Sequence, residues 1–426
     1  MKHNWVKYVA SAAICFCLMM MAITESSLFL YAALGISVLF IFRPEVPFSA
    51  YFISSLSGGY FSVGSLGASR ILSLIVIFSL ILQWRKLAKF TMPDFLLEFL
   101  IVFYSLMSCV LSVTGEMSNF MIMMQSLLVA FLLQKSVKMD TELLIHLIFI
   151  CSVIAIVMLG GHMMQDSTIM FEERYSGAEG LNTNKFAMMC AQLGAVMIGA
   201  FSYMQNKPLK ILSLIAFAVS VLIIVISGSR SALIGLLAST LFVVILTQGK
   251  GLRKAFLPIV LIAIVGFALV HYLSSIDSPI IDRFNVEAVT EDGGTGRLGY
   301  ATRIVNEVIS THPLFGVGMG GQNVMALGIP KQAHNIIIDP LSQLGLVGFV
   351  IYLCYIVPIV FRSFRIRKMN SLIIIPLSLF IAGLFNGIGE VVFYEKFFWN
   401  SIAMCALIVS QSQALLKHSS TVSLSE

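Results

Sequence analysis

Long apolar runs recur along the whole chain, and they limit its fold more than any other feature. A run of ~20 apolar residues is what a helix needs to cross the hydrocarbon core of a membrane. Only 11% of the 426 residues are charged and 58% are hydrophobic, whereas soluble domains carry about 25% charged residues. The sequence therefore predicts one all-α polytopic membrane protein, residues 1–426, with about 12–14 transmembrane helices.

Thirteen of these runs are clear enough to be assigned as spans. The first is expected to be a membrane helix rather than a cleaved signal peptide, because no small-residue cleavage pattern follows it. The predicted spans are Tyr8–Ile23, Ser27–Phe42, Ser69–Trp84, Phe95–Val113, Met117–Leu133, Leu143–Met163, Phe186–Tyr203, Leu209–Ile226, Ala232–Leu246, Ala255–Leu273, Ile336–Phe361, Ser371–Gly389 and Phe397–Ala414.

Lysine and arginine collect in every second connection, which predicts the orientation of the chain. Cytoplasmic loops of membrane proteins carry an excess of these residues. Both termini are basic as well, so the number of crossings must be even. Since thirteen is odd, one more span is needed or one must be removed. Either the Ser/Gly-rich stretch Val46–Gly67 is a weak fourteenth span, or two of the early runs are misassigned and the chain has twelve spans. The basic clusters are Arg85–Lys89, Lys135 with Lys138, Lys207 with Lys210, Lys250–Lys254 and Arg362–Lys368.

Composition also limits the partners of the chain. The net charge of +6 follows from the basic cytoplasmic loops and does not indicate binding of nucleic acid; the expected surroundings are membrane lipid. All seven cysteines fall in apolar runs, which is typical of small buried side chains rather than of disulfides. No His-x-x-x-His or CxxC pattern is present, so neither a metal nor another cofactor is predicted.

Two polar segments are predicted on the outer face. The first is residues 164–185. The second, residues 274–335, is far longer than any other connection, and long loops of this kind are usually functional or disordered. Helical spacing predicts an amphipathic helix within it, capped by Thr295 and ended by His312-Pro313. The apolar residues spaced for one face are Leu298, Ala301, Ile304, Val305, Val308 and Ile309.

Arginines in these outer regions are candidates for binding an anion. Arg230 lies in a tight turn between two spans, where it either binds a phosphate or anchors the helix at the interface. Arg297 follows a glycine cluster that opens a helix, a setting in which backbone donors can approach an anion. Arg303 is spaced to pair with Glu307 on a helix surface, which is its favoured role.

His334 is the candidate for proton transfer. It lies where the long loop re-enters the membrane, and an unperturbed imidazole changes charge near neutral pH. The alternative is an interfacial histidine that bonds only to backbone. Asn335 follows it directly and Asp339 lies five residues on, so both are candidate substrate-binding residues together with Arg303.

Four stretches, in this order, resemble the O-antigen polymerase and ligase family of membrane glycosyltransferases. The resemblance covers residues 174–353, and the third and fourth stretches are specific in combination. The stretches are Arg174-Tyr175-Ser176-Gly177 with Asn182 and Asn184, SGSRSALIG at Ser227–Gly235, GTGRLGYATRIVNEVISTHPLFGVGMGG at Gly294–Gly321, and AHNIIIDPLSQLGLVGFVIYL at Ala333–Leu353.

The resemblance implies a fold similar to the C-type membrane glycosyltransferases and a transfer reaction without metal or nucleotide sugar. Its donor is an undecaprenyl-pyrophosphate-linked oligosaccharide, used at the periplasmic face of the bacterial inner membrane. Functional residues carry over at Arg230, Arg297 and His334, with Arg174 and Asn184 expected to bind substrate. The arginines stabilise the leaving group, while His334 either accepts the acceptor's proton or orients the pyrophosphate.

Three functions remain open at this point. An O-antigen polymerase, with a chain-length regulator as a possible partner, is favoured because nothing outside the shared loop suggests a platform for lipid A. An O-antigen ligase uses the same donor but transfers it to the lipid A core. A polyprenyl-glycan flippase is less favoured, because transporters keep ionisable residues near the bilayer midplane and the span centres here hold almost none.

Overall fold

The computed structural model describes residues 4–57, 60–63, 66–88, 92–114, 117–165, 182–247, 252–275, 278, 280 and 297–422. Helices dominate this part of the chain. The helices that match predicted spans are α1 (Trp5–Thr24), α2 (Ser27–Leu39), α3 (Glu45–Ser55), α4 (Ala68–Leu82), α5 (Met92–Val110), α6 (Met117–Lys135), α7 (Thr141–Gln165), α8 (Thr183–Tyr203), α9 (Lys207–Ile226), α10 (Arg230–Leu246), α11 (Leu252–Ser275), α14 (Ile338–Ile366), α15 (Ile374–Asn386) and α16 (Lys396–Val422).

The remaining elements are short. Strands β1 (Ser62–Val63) and β2 (Leu66–Gly67) pair antiparallel just before α4. Helix α12 (Arg297–Arg303) continues as a π-helical turn, Ile304–Ile309, and α13 (Gly321–Ala326) follows. Single 3₁₀ turns, Trp84–Lys86 and Ser371–Ile373, lie after α4 and before α15.

Among the described residues, seven helices are long and apolar enough to cross a membrane: α1, α6, α7, α8, α9, α14 and the Pro258–Ser275 part of α11. Five shorter apolar helices, including α2, α4 and α10, accompany them. The predicted all-α polytopic membrane architecture is confirmed. Helix α3 lies at the weak span Val46–Gly67, and every one of its residues is buried.

Helix α8 lies at the centre of the bundle. In α8 every residue from Phe186 to Ala200 is buried, and α8 packs against α9, α10 and α15. Small residues allow these close approaches. A Cβ added at Gly194 would lie 2.9 Å from a methyl group of Leu236, and one added at Gly235 would overlap the amide of Asn386. The backbones of α8, α10 and α15 therefore pack closely against their neighbours at these glycines.

The helix ends divide into two groups. At one end, Lys7 of α1 lies 4.0 Å from Glu45 of α3, and Thr141 of α7 donates to Gln411 of α16 at 2.9 Å. The basic clusters that the structure describes, at Arg85, Lys135, Lys207 and Arg362, also lie at helix ends of this group. We call this the basic end. The opposite end carries the starts of α8, α10, α14 and α16.

The amphipathic helix predicted in the long loop is confirmed, with two errors in its apolar face. Ile304 and Val308 are buried against Val324, Ile329 and Ala333, which gives this loop a small core of its own. The prediction that Leu298 and Val305 belong to the buried face is wrong, since their side chains are 68% and 42% exposed. Both residues lie away from the side of the helix on which Ile304 and Val308 are buried.

The free state of the described cysteines is confirmed. All seven are free, and five of them are buried.

Candidate functional site

His334 lies in the connection that leads into α14, and its backbone has the left-handed conformation with φ of +53°. Non-glycine residues seldom adopt this conformation unless the surroundings impose it. Asp339 imposes it here: one carboxylate oxygen accepts the N–H of Ala333 at 3.0 Å, and the other accepts the N–H of Asn335 at 2.9 Å. The backbone on both sides of His334 is therefore fixed by one buried carboxylate.

Asn335 completes this turn. Its side-chain oxygen accepts the N–H groups of Ile337 and Ile338 at 3.0 and 3.2 Å, as a capping residue does at a helix start. Asn335 and Asp339 are predicted substrate-binding residues. In the structure their side-chain oxygens accept backbone N–H groups of the turn that carries His334.

The imidazole of His334 faces a second buried carboxylate, that of Glu390. His334 Nδ1 lies 3.5 Å from Glu390 Oε2, with the histidine side chain 30% exposed and the glutamate side chain 3% exposed. This is an ion-pair distance, and Nδ1 has no hydrogen-bond partner among the described residues. At an effective dielectric constant of about 20, opposite charges about 4 Å apart attract by about 4 kcal/mol before desolvation.

Asn184 holds the other oxygen of the same carboxylate. Its Nδ2 donates to Glu390 Oε1 at 2.8 Å. Asn182 places Asn184 there, because its side chain accepts the N–H groups of Asn184 and Lys185 and so begins α8. Glu390 therefore faces the start of a helix, where a negative charge is favoured. The predicted substrate-binding residue Asn184 contacts the site through this glutamate.

The connection that carries Glu390, residues 387–395, is tied to its neighbours at both ends. Ile336 N–H donates to Gly387 carbonyl oxygen at 2.7 Å. Lys185 Nζ lies 2.8 Å from Glu395 Oε1. These contacts bring α8, α14 and α15 together around His334.

Helix α14 is broken close to the site. Gly345 has φ of +64° and ψ of −177°, which separates Ile338–Leu344 from the long remainder of the helix. The carbonyl groups freed by the break are satisfied by the preceding segment. Val317 N–H donates to Ser342 and Gly318 N–H to Gln343, both at 3.0 Å. Backbone groups at membrane depth need such partners, since lipid offers none.

Gln343 joins this segment to the Glu390 connection. Its side-chain oxygen accepts the N–H of Gly320 at 3.0 Å and also the hydroxyl of Tyr394. The long loop, the broken helix and residues 387–395 are therefore one hydrogen-bonded unit beside His334.

Arg230 is the first residue of α10 and follows the buried residue Ser229. Gly228, with φ of +61°, makes the tight turn from α9. Five residues further along α10, Gly235 contacts Asn386, next to the Gly387 that binds the His334 segment. At 1.5 Å per residue, Arg230 lies about 7.5 Å beyond that contact along the helix axis, at the His334 end.

The structure describes only some of the other arginines that the sequence predicts at the site. Arg297 is the first residue of α12; its side chain and all of Arg174 lie outside the described residues. Arg303 makes the predicted pair with Glu307, through two hydrogen bonds of 2.9 and 3.1 Å. These bonds lower the pKa of the Glu307 carboxyl. The surface ion pair is confirmed.

Glu390 is the site residue that the sequence motifs did not reveal. It lies outside residues 174–353, in a stretch assigned to a span end and a short connection. A signal was present, because an ionisable residue inside or beside an apolar span is a functional hypothesis by default. Within the described residues, no group of three metal-ligating side chains occurs.

A comparison with protein families finds one match within the chain. Residues 215–353, about a third of the chain, match the Wzy_C family, described as O-antigen ligase. This range holds Arg230, Arg297, Arg303, His334, Asn335 and Asp339. Neither the curated proteins nor the solved structures contain a match to this chain. The segment from residue 215 to residue 353 is therefore similar to the O-antigen ligase family, in agreement with the resemblance that the motifs carry.

Proposed function

We propose that this protein is an O-antigen polymerase, which transfers a glycan from an undecaprenyl-pyrophosphate carrier to a sugar hydroxyl of an acceptor glycan. One observation carries the proposal: His334 of the family segment faces the buried Glu390 at 3.5 Å, at the end of the bundle where α10 begins with Arg230. A candidate base and a candidate pyrophosphate ligand thus lie on the same end.

The reaction needs two kinds of help, and these residues fit both. The bond between the sugar and the pyrophosphate breaks, and the acceptor oxygen forms the new glycosidic bond. Negative charge grows on the leaving pyrophosphate, where Arg230 and Arg297 stabilise it through forked N–H donors. The acceptor hydroxyl loses its proton to His334. The arginines then balance the negative charge of the pyrophosphate, as a metal ion does in other enzymes.

The site end is proposed to face the periplasm. The described basic clusters lie at the opposite end of the helices, and positively charged loops stay in the cytoplasm. A carrier-linked glycan delivered to the outer leaflet would then meet His334 directly.

The break in α14 does not favour a flippase. Transporters use unwound helices to line a substrate cavity with free backbone groups. Here the carbonyl groups of Ser342 and Gln343 accept the backbone N–H groups of residues 317–318. The hydroxyl of Tyr104 donates to the carbonyl oxygen of Leu344. The break therefore fixes the long loop onto the bundle.

The acceptor is proposed to be another carrier-linked glycan rather than lipid A core. Outside the family segment, the described chain forms apolar helices and short connections, so no separate platform for a lipid A core acceptor is among the residues described.

Purified full-length protein tests the proposal. It is incubated with carrier-linked glycan extracted from cells that lack the protein, in the presence of EDTA. We expect longer glycans that remain on the carrier, and none with His334→Ala. A requirement for added divalent cation, or for added lipid A core before any transfer occurs, would contradict the proposal.

A further inference from the structure

We propose that Glu390 is the positioning residue of His334, and that Asn184 fixes Glu390 for this task. The inference rests on the proposed transfer reaction and assigns a role to a residue outside the segment that matches the family. Glu390 would hold the Nδ1 side of the imidazole, so that Nε2 is presented to the acceptor hydroxyl.

The first support is the geometry of the carboxylate. Each of its oxygens has a different neighbour: Oε1 accepts from Asn184 at 2.8 Å, and Oε2 lies 3.5 Å from His334 Nδ1. A buried carboxylate costs free energy unless its oxygens are bound, and Glu390 is only 2% exposed. The pairing with Asn184 leaves Oε2 directed at the imidazole.

The second support is the distance itself. A gap of 3.5 Å is too long for a strong hydrogen bond, and Nδ1 has no other hydrogen-bond partner in the described part of the chain. Catalytic hydrogen bonds are often long without substrate and shorten when it binds. A shift of about half an ångström would give a normal N–H···O bond.

The third support is the charge around His334. Two buried carboxylates flank it, Glu390 from the connection 387–395 and Asp339 from the start of α14. The second acidic residue of that connection, Glu395, is paired with Lys185. Carboxylates beside the imidazole oppose the approach of a negatively charged pyrophosphate to the ring. The environment favours the proton-acceptor role over binding of the leaving group.

The proton balance of the step is simple. The acceptor hydroxyl gives its proton to His334 Nε2 as its oxygen bonds to the sugar, and the polyprenyl pyrophosphate departs with the electron pair of the broken bond. Glu390 stays ionised and stabilises the imidazolium, as the carboxylate does in a Ser-His-Asp triad. The imidazolium then returns its proton to water.

The test uses full-length Glu390→Gln in vesicles, with carrier-linked glycan extracted from cells that lack the protein. Glutamine keeps the shape and an oxygen for Asn184 but removes the charge. We expect kcat to fall about 10- to 100-fold, part of the 10²- to 10⁴-fold that a general base typically contributes, with KM for the donor little changed. Glu390→Asp should recover part of the loss.

The split between kcat and KM separates positioning from mere support of the fold. A positioning residue acts on the proton transfer, so Glu390→Gln should lower kcat per folded molecule while the fraction of folded protein stays unchanged. A residue that only supports the fold would lower the amount of folded protein and leave kcat per folded molecule unchanged.

The control is Glu142→Gln, which removes the same charge from an exposed residue at the start of α7, at the basic end. It should keep the kcat of the unmodified protein. If Glu390→Gln also keeps this kcat while His334→Ala is inactive, the positioning role is wrong and the proposed function stands. If the unmodified protein transfers no carrier-linked glycan, the proposed function itself fails. Should Glu390→Gln not fold, Asn184→Ala must lower kcat per folded molecule with the donor KM little changed, or the inference is overturned.

Discussion

The carboxylate of Asp339 accepts the backbone N–H of Ala333, six residues earlier in the chain, at 3.0 Å. Its second oxygen accepts the N–H of Asn335, so a single side chain closes the turn that carries His334. Asp339 is 1% exposed, and a buried N–H that loses its partner costs about 1–3 kcal/mol.

Asp339→Ala should therefore lower both stability and transfer. We expect a loss of about 1–3 kcal/mol in the free energy of unfolding and little remaining activity, because His334 leaves its left-handed conformation. Thermal unfolding of the detergent-solubilised protein and a transfer assay measure the two effects. Asp140→Ala is the control, since Asp140 accepts the N–H of Leu143 at the basic end; it should cost some stability without reducing transfer per folded molecule.

The arginines can be tested by charge-conserving replacement. Arg230→Ala and Arg297→Ala should each abolish long glycan chains while protein level and membrane insertion stay normal. Lysine at either position should restore little, because a compact ammonium cannot reproduce the forked contact with phosphate oxygens. Arg85→Ala, at the basic end, should leave chain length unchanged. Full activity with lysine at both positions would exclude forked phosphate binding.

The contact between α10 and α15 predicts a steric effect. A methyl group at Gly235 would overlap the amide of Asn386, and overpacking of this kind typically costs 1–3 kcal/mol. Gly235→Ala should lower the unfolding temperature and displace the start of α10, which carries Arg230. Gly266→Ala in α11 meets nothing within 4 Å and is the matched control. Equal stability of the two variants would show that the helices pack less closely than described.

The sidedness of the membrane is a separate prediction. Cysteine placed at the exposed Asn306, after α12, should react with an impermeant maleimide in intact cells. Cysteine placed at the exposed Lys138, between α6 and α7, should react only after the membrane is breached. The opposite pattern would invert the proposed orientation.

Much of the fold could be predicted because its signals are local. Apolar runs mark the spans, and helical spacing marks the amphipathic helix with Ile304 and Val308 inside. The exposure of Val305 could not be predicted, because the width of the buried face depends on which distant residues pack against the helix. The break at Gly345 could not be predicted either, because the carbonyl groups that it frees are bound by N–H groups of residues 317–318, far away in the sequence.

The site residues that could be predicted are those that short motifs carry, within the family segment and at Asn184 before it. His334 and Asp339 lie five residues apart, so their link is visible in the sequence. Glu390 meets Asn184 across 206 positions of the chain, and such a pairing appears only when α8 and α15 pack. A lone glutamate after an apolar span carries no sign of its partner.

Glycolipid at the surface of cells that lack the protein tests the proposed polymerase reaction. A polymerase extends carrier-linked chains, so its loss should leave the core carrying one repeat unit, seen as a single step above bare core on a gel. Restoring the unmodified protein should return the ladder of long chains, and His334→Ala should not. Bare core with long polymer still on the carrier would identify a ligase and contradict the proposed acceptor.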